Sequence, residues 1–541
     1  MKRPLLNRSV FFLALAACGA GAFALVERAS AVRPADPVGV THDWPQWGGT
    51  QCRNMCSDEI NLPNAWDPGP RDKNTEEYDT TKSKNLKWIA TLGSQMHGNP
   101  TVSGGKVFVG TNNTSPRNPN RKDDAGVLMC FNEADGKFLW QLTVPKLKAG
   151  KVNDWEYIGL TSSPTVDGDR VYCVTNRCEL LCLGVDGVAK GNRGPFKNEG
   201  QYVVDPDKLR CDKPDEFAGT PADISGADII WRLDMIERLG VFPHNATHCS
   251  VLVDGEKVIC GTSNGVDWGH DTIRAPDAPT VICVNKLSGE VIWTDDIGMG
   301  RGKRSDCGLR RAIFHSNWSS PSLAVVNGKK QILFGGGDGY CYALDAENGK
   351  TIWKADCVLS TQKKNAKGFI LYPDYKGPSE IMATPVFYKN RVYVAVGQDP
   401  DHGEGLGVLT CLDATMTGDT TQNGKIWFFD KINRSISTCS IYNDLLFVCD
   451  IAGNVYCLDP DTGKLHWRFD SGAHIWGSTL AADGKIYFGN DDGDFTVLSA
   501  RNTLEEISNV NLGDSILSTP VVANGTMYIA TQTHLFAIAK K

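Results

Sequence analysis

The chain has no lysine- and arginine-rich run. A phosphate-reading surface is therefore not expected, and nucleic acid is excluded as a partner. No glycine-rich loop follows a strand and opens a helix, so there is no cradle for nucleotide phosphates. No nucleophile elbow and no C-x-x-C-H haem attachment are present. Past the first thirty or so residues, no apolar run is long enough to cross a bilayer. Charged residues are only 22% of the 541, with a net charge of −7. These gaps remove the common signatures of nucleotide, haem and acyl-transfer chemistry.

What the chain does have is a repeat. GNVYCLDPDTGKLHWRFD at 453–470 alternates in polarity on either side of an Asp-rich turn, as a β-hairpin does. GYCYALDAENGKTIWKAD at 339–356, VICVNKLSGEVIWTDD at 281–296 and VLMCFNEADGKFLWQL at 127–142 are copies of it. A lone hairpin is marginal in water, so a repeated one is built to stack on its copies. The 56 glycines suit such a turn-rich all-β chain.

A second landmark counts the units. Strands entered by Ser/Thr/Asn-Pro or a near equivalent occur at 99–102, 163–166, 249–252, 320–323, 384–386, 439–441, 477–480 and 519–522. That makes eight units, with a minimum spacing of about 40 residues, the period of a four-stranded propeller blade. The Trp-bearing strand recurs at Trp88, Trp140, Trp231, Trp293, Trp353, Trp427 and Trp467, with Ile507 in a degraded eighth copy. The first copy, 85–93, precedes any complete unit, and the last unit supplies only three strands. The economical solution is an all-β, eight-bladed propeller of four-stranded antiparallel blades, closed by its N-terminal strand completing the last blade.

Three segments follow. Residues 1–31 read as a secretory signal: Lys2, Arg3 and Arg8 precede an apolar run at 10–26, and Ala29-Ser30-Ala31 offers a cleavage site. A lipoprotein signal with a lipid anchor at Cys18 and an uncleaved anchor are the rival readings. Residues 32–84 form an extension that docks on the ring, and 85–541 form the propeller. Export raises the matter of disulfides among the 18 cysteines. Cys130, Cys182, Cys283, Cys341, Cys411 and Cys457 share one strand slot, Cys173, Cys260 and Cys449 a second, and Cys249 and Cys439 a third. All of these read as small core residues. Cys52, Cys56, Cys178, Cys211, Cys307 and Cys357 remain as disulfide candidates, with Cys52 and Cys56 also a weak metal pair.

With strands lettered A to D from axis to rim, the long insertions gather on the face of the B–C and D–A connections. Those at 112–126, 263–280, 398–405, 145–160, 233–248, 298–317 and 357–382 all surround one mouth of the axis. Only 190–226 and 415–423 are C–D insertions. His97, His248, His315 and His474 precede A strands at that mouth, as do Trp318 and Trp476, while His270, Trp268 and His402 lie in its B–C loops. Such a ring suits a polar, planar or metal-bound ligand. The plainer alternative is hydrogen bonding between neighbouring loops. Asp345, Asp413 and Asp459, with Asn132 and Asn285 in the same slot, open Asx-type turns.

The units GYCYALDAENGKTIW and GNVYCLDPDTGKLHW resemble the pyrroloquinoline quinone (PQQ) repeat of bacterial propellers, over about 85–538. Two functional groups share that repeat: a non-enzymatic outer-membrane protein assembly lipoprotein, and quinoprotein dehydrogenases that bind PQQ and Ca2+ on the axis. The segment GTSNGVDW at 261–268 is similar to the G-T-G-N-G-x-x-W of the enzymes. The resemblance implies a metal-ligand role for Asn264, with Asp267 beside it, because oxygen ligands suit a hard cation. Departures point the other way. Trp318-Ser319 stands where the enzymes carry Trp-Asp with the catalytic base, and Gly336-Gly337-Asp338-Gly339 where they carry a Lys or Arg. Loss of a base costs about 10²–10⁴-fold in rate, and His315 would be its substitute. The expectation is therefore a non-catalytic binding or scaffold protein of a bacterial cell envelope, with envelope proteins or a small polar ligand as partners. The alternative is a PQQ- and calcium-dependent alcohol dehydrogenase-like enzyme, with His97, His248, Trp268, Trp318, His402, His474 and Trp476 around the cofactor.

Overall fold

A computed structural model describes residues 42–118, 121–197, 199, 202, 226–270, 272–297, 315–359 and 379–540. The chain divides into two compact units at Thr41/His42, and the second, His42–Lys541, is the one described. The signal reading, Cys18, Cys211 and Cys307 lie outside the described residues.

Eight antiparallel sheets form the propeller. Blade 6 shows the common plan: Ser440–Tyr442, Leu445–Cys449, Asn454–Leu458 and Leu465–Asp470, paired in that order. The third strand is buried throughout, and the fourth alternates because one side faces water. Blade 8 takes Val521–Ala523, Thr526–Ala530 and His534–Ile538 from the C-terminal end, and Leu86–Thr91 as its outer strand. The pairing runs Ile89 to Phe536 and Thr91 to His534. The ring is thus closed by the two ends of the fold.

Three devices tie the blades together. The first is the outer-strand tryptophan. The indoles of Trp88, Trp140, Trp231, Trp293, Trp427 and Trp467 donate to the carbonyls of Glu133, Val185, Lys286, Ala346, Pro460 and Arg501, each in the C–D turn of the next blade. Trp353 instead donates to Gln331 of its own blade, because the following turn is replaced by the 415–423 insertion. Part of that insertion, Gly418–Asp419, lies parallel on Thr351–Asp356 and covers the edge of blade 4. Gly226 bridges to Gln141 of blade 1 in the same parallel sense.

The second device explains the Ser/Thr/Asn landmark. The backbone N–H of Asn99 donates to Ser163 Oγ, Ser163 to Ser250, and Ser250 to Ser320. Thr384 N–H donates to Thr438, Thr438 to Ser478, Ser478 to Thr519, and Thr519 to Asn99 Oδ1. A belt of side-chain acceptors therefore runs round the axis at the start of the A strands. It satisfies buried N–H groups that no ladder reaches.

The third device is the N-terminal extension. It laces the inner edges of the A strands one layer below the belt. Trp44 pairs with Val102, Pro45 accepts from Val166 N–H, and Gln51 donates to Val253 and accepts from Leu323. Cys52 accepts from Phe387, Asn54 holds both backbone groups of Ile441, and Met55 accepts from Ala481. Each contact falls three residues after a belt residue, about 10 Å along an extended strand. Buried Arg53 anchors the lace through the carbonyls of Trp47, Val251 and Pro321.

Register corrects two readings, and the state of the cysteines a third. Cys130, Cys182, Cys283, Cys411 and Cys457 each face the tryptophan of the adjacent strand, but Trp353 faces Ala343, so Cys341 sits two residues away from the shared slot. In blade 7 the residue opposite Val497 is Ser508, and Ile507 is the bulged residue before it. Cys52, Cys56, Cys178 and Cys357 form no disulfide among the described residues. The Asx turns stand as read, with Asp345, Asp413, Asp459, Asn132 and Asn285 each accepting from the N–H two residues on.

Candidate functional site at the axial mouth

Above the lace, the axis opens into a cavity of about 450 Å³. Its wall carries His97, His248, Trp155, Trp318 and Trp476, with belt hydroxyls below and Trp47 of the lace at the bottom. Trp47 donates to Thr384 Oγ1, which ties the floor to the belt. Among the described residues the lining contains Glu156, Asp399 and Asp401 and no Lys or Arg. Burial pulls His97 and His248 down to about 4, so both are neutral at pH 7 and act as uncharged hydrogen-bonding groups.

Beside this cavity, behind Trp318, four histidines converge. His244 comes from the D–A connection entering blade 3 and His270 from its B–C insertion. His315 comes from the connection entering blade 4 and His402 from the B–C insertion of blade 5. His244 Nε2 lies 3.1 Å from His270 Nε2, and His315 Nε2 lies 3.0 Å from His402 Nε2. Asp399 Oδ2 is 3.8 Å from His315 Nε2 and also lines the cavity. His315 Nδ1 meets Glu380 Oε1 at 3.1 Å, and His244 Nδ1 meets the Val266 carbonyl at 2.9 Å. His315 stacks on Trp318, whose indole donates to the Ala246 carbonyl. Burial, reinforced by His315 and His270, pushes His244 down to about 3, and burial raises Asp399 to about 6.

The residues nominated from the sequence fall into three places. His97, His248, Trp318 and Trp476 line the cavity, and His315, His270 and His402 join the cluster beside it. His474 stands half-exposed at the rim between Glu404 and Asp491. Trp268 is 56% exposed and stacks on Trp155. Asn264 is buried, with Oδ1 accepting from Phe242 N–H and Nδ2 donating to the Ala275 carbonyl, so its amide holds two loops together. Asp267 accepts from Thr272 N–H and pairs with Arg274. His244 was missed. Its signal was its place in the 233–248 insertion, on the same face as the nominated histidines.

Calcium takes six to eight oxygens. The converging donors here are imidazole nitrogens with one carboxylate, and the Asn264 amide oxygen is engaged by backbone. The described residues therefore do not fit the calcium site that the repeat's enzymes carry.

Comparison with known proteins places the chain. The family model described as outer membrane protein assembly factor BamB matches residues 277–421, 407–506 and 452–540. Tetrathionate hydrolase of Acidithiobacillus ferrooxidans is 22% identical over 257 residues, 42% of this chain and 45% of that protein. Quinoprotein ethanol dehydrogenase of Pseudomonas putida is 34% identical over 83 residues, 15% of this chain and 13% of that protein. The chain thus spans less than half the length of these curated relatives. Among solved structures, BamB from Moraxella catarrhalis aligns with TM-score 0.48 at 14% identity, covering 84% of this chain and 100% of that one. Quinohemoprotein alcohol dehydrogenase from Comamonas testosteroni aligns with TM-score 0.48 at 14% identity, covering 92% and 81%. With eight four-stranded sheets, a Trp and Gly-bearing hairpin repeated around the ring and the matches to its C-terminal half, the chain is a PQQ-repeat β-propeller.

Proposed function

We propose that this propeller is an exported, envelope-resident binding protein of a bacterium, and that its axial cavity takes a small polar ligand with a flat face, uncharged or cationic. The composition of the cavity carries the reading. Tryptophan faces suit a flat or cationic group, and the belt of Ser, Thr and Asn suits hydroxyls. Glu156, Asp399 and Asp401, with no Lys or Arg among the described lining, disfavour an anion. The basic and apolar leader supports export. The matching family model is described as an outer membrane protein assembly factor, which supports residence in the envelope with protein partners there.

A PQQ- and calcium-dependent oxidoreductase is the second reading, favoured by the likeness to quinoprotein ethanol dehydrogenase over 83 residues. PQQ is a tricarboxylate, and the cavity wall offers it no cation among the described residues. Trp318 is followed by Ser319, whose hydroxyl donates to the Ala383 carbonyl and cannot serve as a carboxylate base. Titration of the purified protein with PQQ, with and without Ca2+, followed by tryptophan fluorescence, separates the two. The binding-protein reading expects no micromolar PQQ binding, and expects saturable quenching by a neutral glycoside or a quaternary amine that Trp476→Ala removes. Alcohol-dependent dye reduction after adding PQQ and Ca2+ would overturn it.

A further inference from the structure

We propose that His244, His270, His315 and His402, with Asp399 at its open side, form a binding site for one divalent transition-metal ion of the zinc class. The tautomers carry the argument. The Val266 carbonyl can only accept, so His244 Nδ1 must bear the proton and its Nε2 presents a lone pair. The Glu380 carboxylate does the same for His315. Both lone pairs therefore aim inward, each at another imidazole nitrogen 3.0–3.1 Å away. Donor atoms of His244, His270 and His315 lie within 4.8 Å of one another, as do those of His315, Asp399 and His402. Four nitrogens about 2.0–2.1 Å from a tetrahedral zinc stand roughly 3.3 Å apart; the His244–His270 and His315–His402 pairs already have about that spacing, and the two triads of donors share His315.

The surroundings match such a site. A ligating histidine usually hands its other N–H to a carboxylate or a carbonyl, which fixes the ring and raises its basicity. Glu380 and Val266 are those partners here. Glu380 is fully buried and also accepts from Asp399 N–H, which joins the acid behind one ligand to the backbone of another. The carboxylates of Asp399 and Glu380 supply two negative charges against a dication. Arg434 donates to the carbonyls of His402 and Gly403 and so fixes the loop carrying the fourth imidazole. Imidazole donors select zinc, copper, nickel or iron over calcium and magnesium. Asp399 belongs to both the cluster and the cavity wall, so the ion would sit at the edge of the ligand chamber. The proposal does not depend on which ligand that chamber takes.

The test uses the full mature chain, stripped with a chelator and desalted, with Zn2+ and Co2+ as probes. Elemental analysis after Zn2+ loading is expected to find one ion per chain, and Co2+ to give the visible ligand-field bands of nitrogen coordination. His402→Ala, on a half-buried loop, is expected to weaken Zn2+ at least tenfold with unchanged circular dichroism. Glu380→Gln is expected to weaken it ten- to a hundredfold. His244→Ala/His315→Ala is expected to retain no ion. Wild-type chain that takes up no stoichiometric Zn2+ and shows no thermal shift would overturn the proposal, leaving two imidazole–imidazole hydrogen bonds in its place. So would uptake that survives unchanged in a folded His402→Ala. These readouts are metal content and spectra, so they are separable from the fluorescence test of the cavity.

Discussion

Gly463, in the C–D turn of blade 6, lies face to face with the indole of Trp427 in blade 5. A Cβ on Gly463 would stand 2.6 Å from the ring, and its φ of +70° belongs to the left-handed region. The same pairing joins Gly136 to Trp88, Gly289 to Trp231 and Gly349 to Trp293. The glycine and the tryptophan of the repeat are therefore partners across a blade junction, although the repeat places them four residues apart.

Gly463→Ala is expected to cost more than Gly484→Ala. Gly484 has nearly the same φ, +69°, but open space where its Cβ would go. Backbone strain, about 1–2 kcal/mol, is common to both. The clash with Trp427 adds about 1–3 kcal/mol to the first alone. Comparing denaturation midpoints of the two variants isolates the packing part. Equal midpoints would mean that the indole moves aside freely.

Asn99→Ala removes the acceptor that Thr519 N–H uses where the last blade meets the first. A buried donor left without its partner costs about 1–3 kcal/mol. Thermal unfolding should show the loss. Asn99→Ser tests geometry, because Ser fills the same belt position in blades 2, 3, 4 and 7. A Ser that restores none of the loss would show that the longer Asn arm is required at the closure.

Arg53→Met keeps the bulk of the side chain and removes its donors. The carbonyls of Trp47 and Pro321 then lose the Arg53 donor in a buried site, while Val251 keeps only its bond from Thr165 Oγ1. The expected cost is on the order of 3–5 kcal/mol, together with faster proteolysis within 42–67 as the lace detaches. Limited proteolysis read by mass spectrometry checks both. A lace as resistant as wild type would show that its backbone contacts suffice.

Acid should weaken the fold through His97 and His248. Both are held down to about 4 by burial, against an ordinary value of 6.5. Asp401 partly opposes this at His97, and His97 reinforces it at His248. Between about pH 4 and 6.5 the unfolded chain binds more protons than the folded one, so stability rises with pH there. Their contribution is fully present above pH 6.5 and is lost as pH falls through 4. Melting temperature plotted from pH 4 to 8 should slope less steeply in His97→Gln/His248→Gln than in wild type. Parallel slopes would assign the acid response to other groups.

Much of the architecture was legible from spacing. Blade number followed from the Ser/Thr/Asn-Pro entries and the Trp strands, because every blade repeats the same strand order and landmarks whatever the length of its insertions. Closure by Leu86–Thr91 followed because one Trp strand preceded the first blade and one blade lacked its fourth strand. The belt was visible as a motif, but its purpose was not, since the hydroxyls of Ser163, Ser250, Ser320, Thr438, Ser478 and Thr519 each serve a backbone N–H of the previous blade.

The site was legible only as a face. Loop lengths placed His97, His248, His270, His315 and His402 around one mouth, and strand polarity guaranteed that much. Which imidazoles would meet could not be read: the paired nitrogens belong to residues 26 and 87 apart, brought together by insertions whose paths no period governs. Asn264 kept the motif of a ligand, yet the loops ending at Phe242 and Ala275 claimed both ends of its amide. Cys341 is a different case: it lies four residues before Asp345, where Cys457 lies two before Asp459, so spacing alone already gave the slot facing Trp353 to Ala343. Local alternation and turn chemistry in the sequence by themselves determined the ring, its count and its closure. Only tertiary packing decided the donor cluster and the cavity, because side chains from separate loops acquire a common centre only after the blades beneath them have locked.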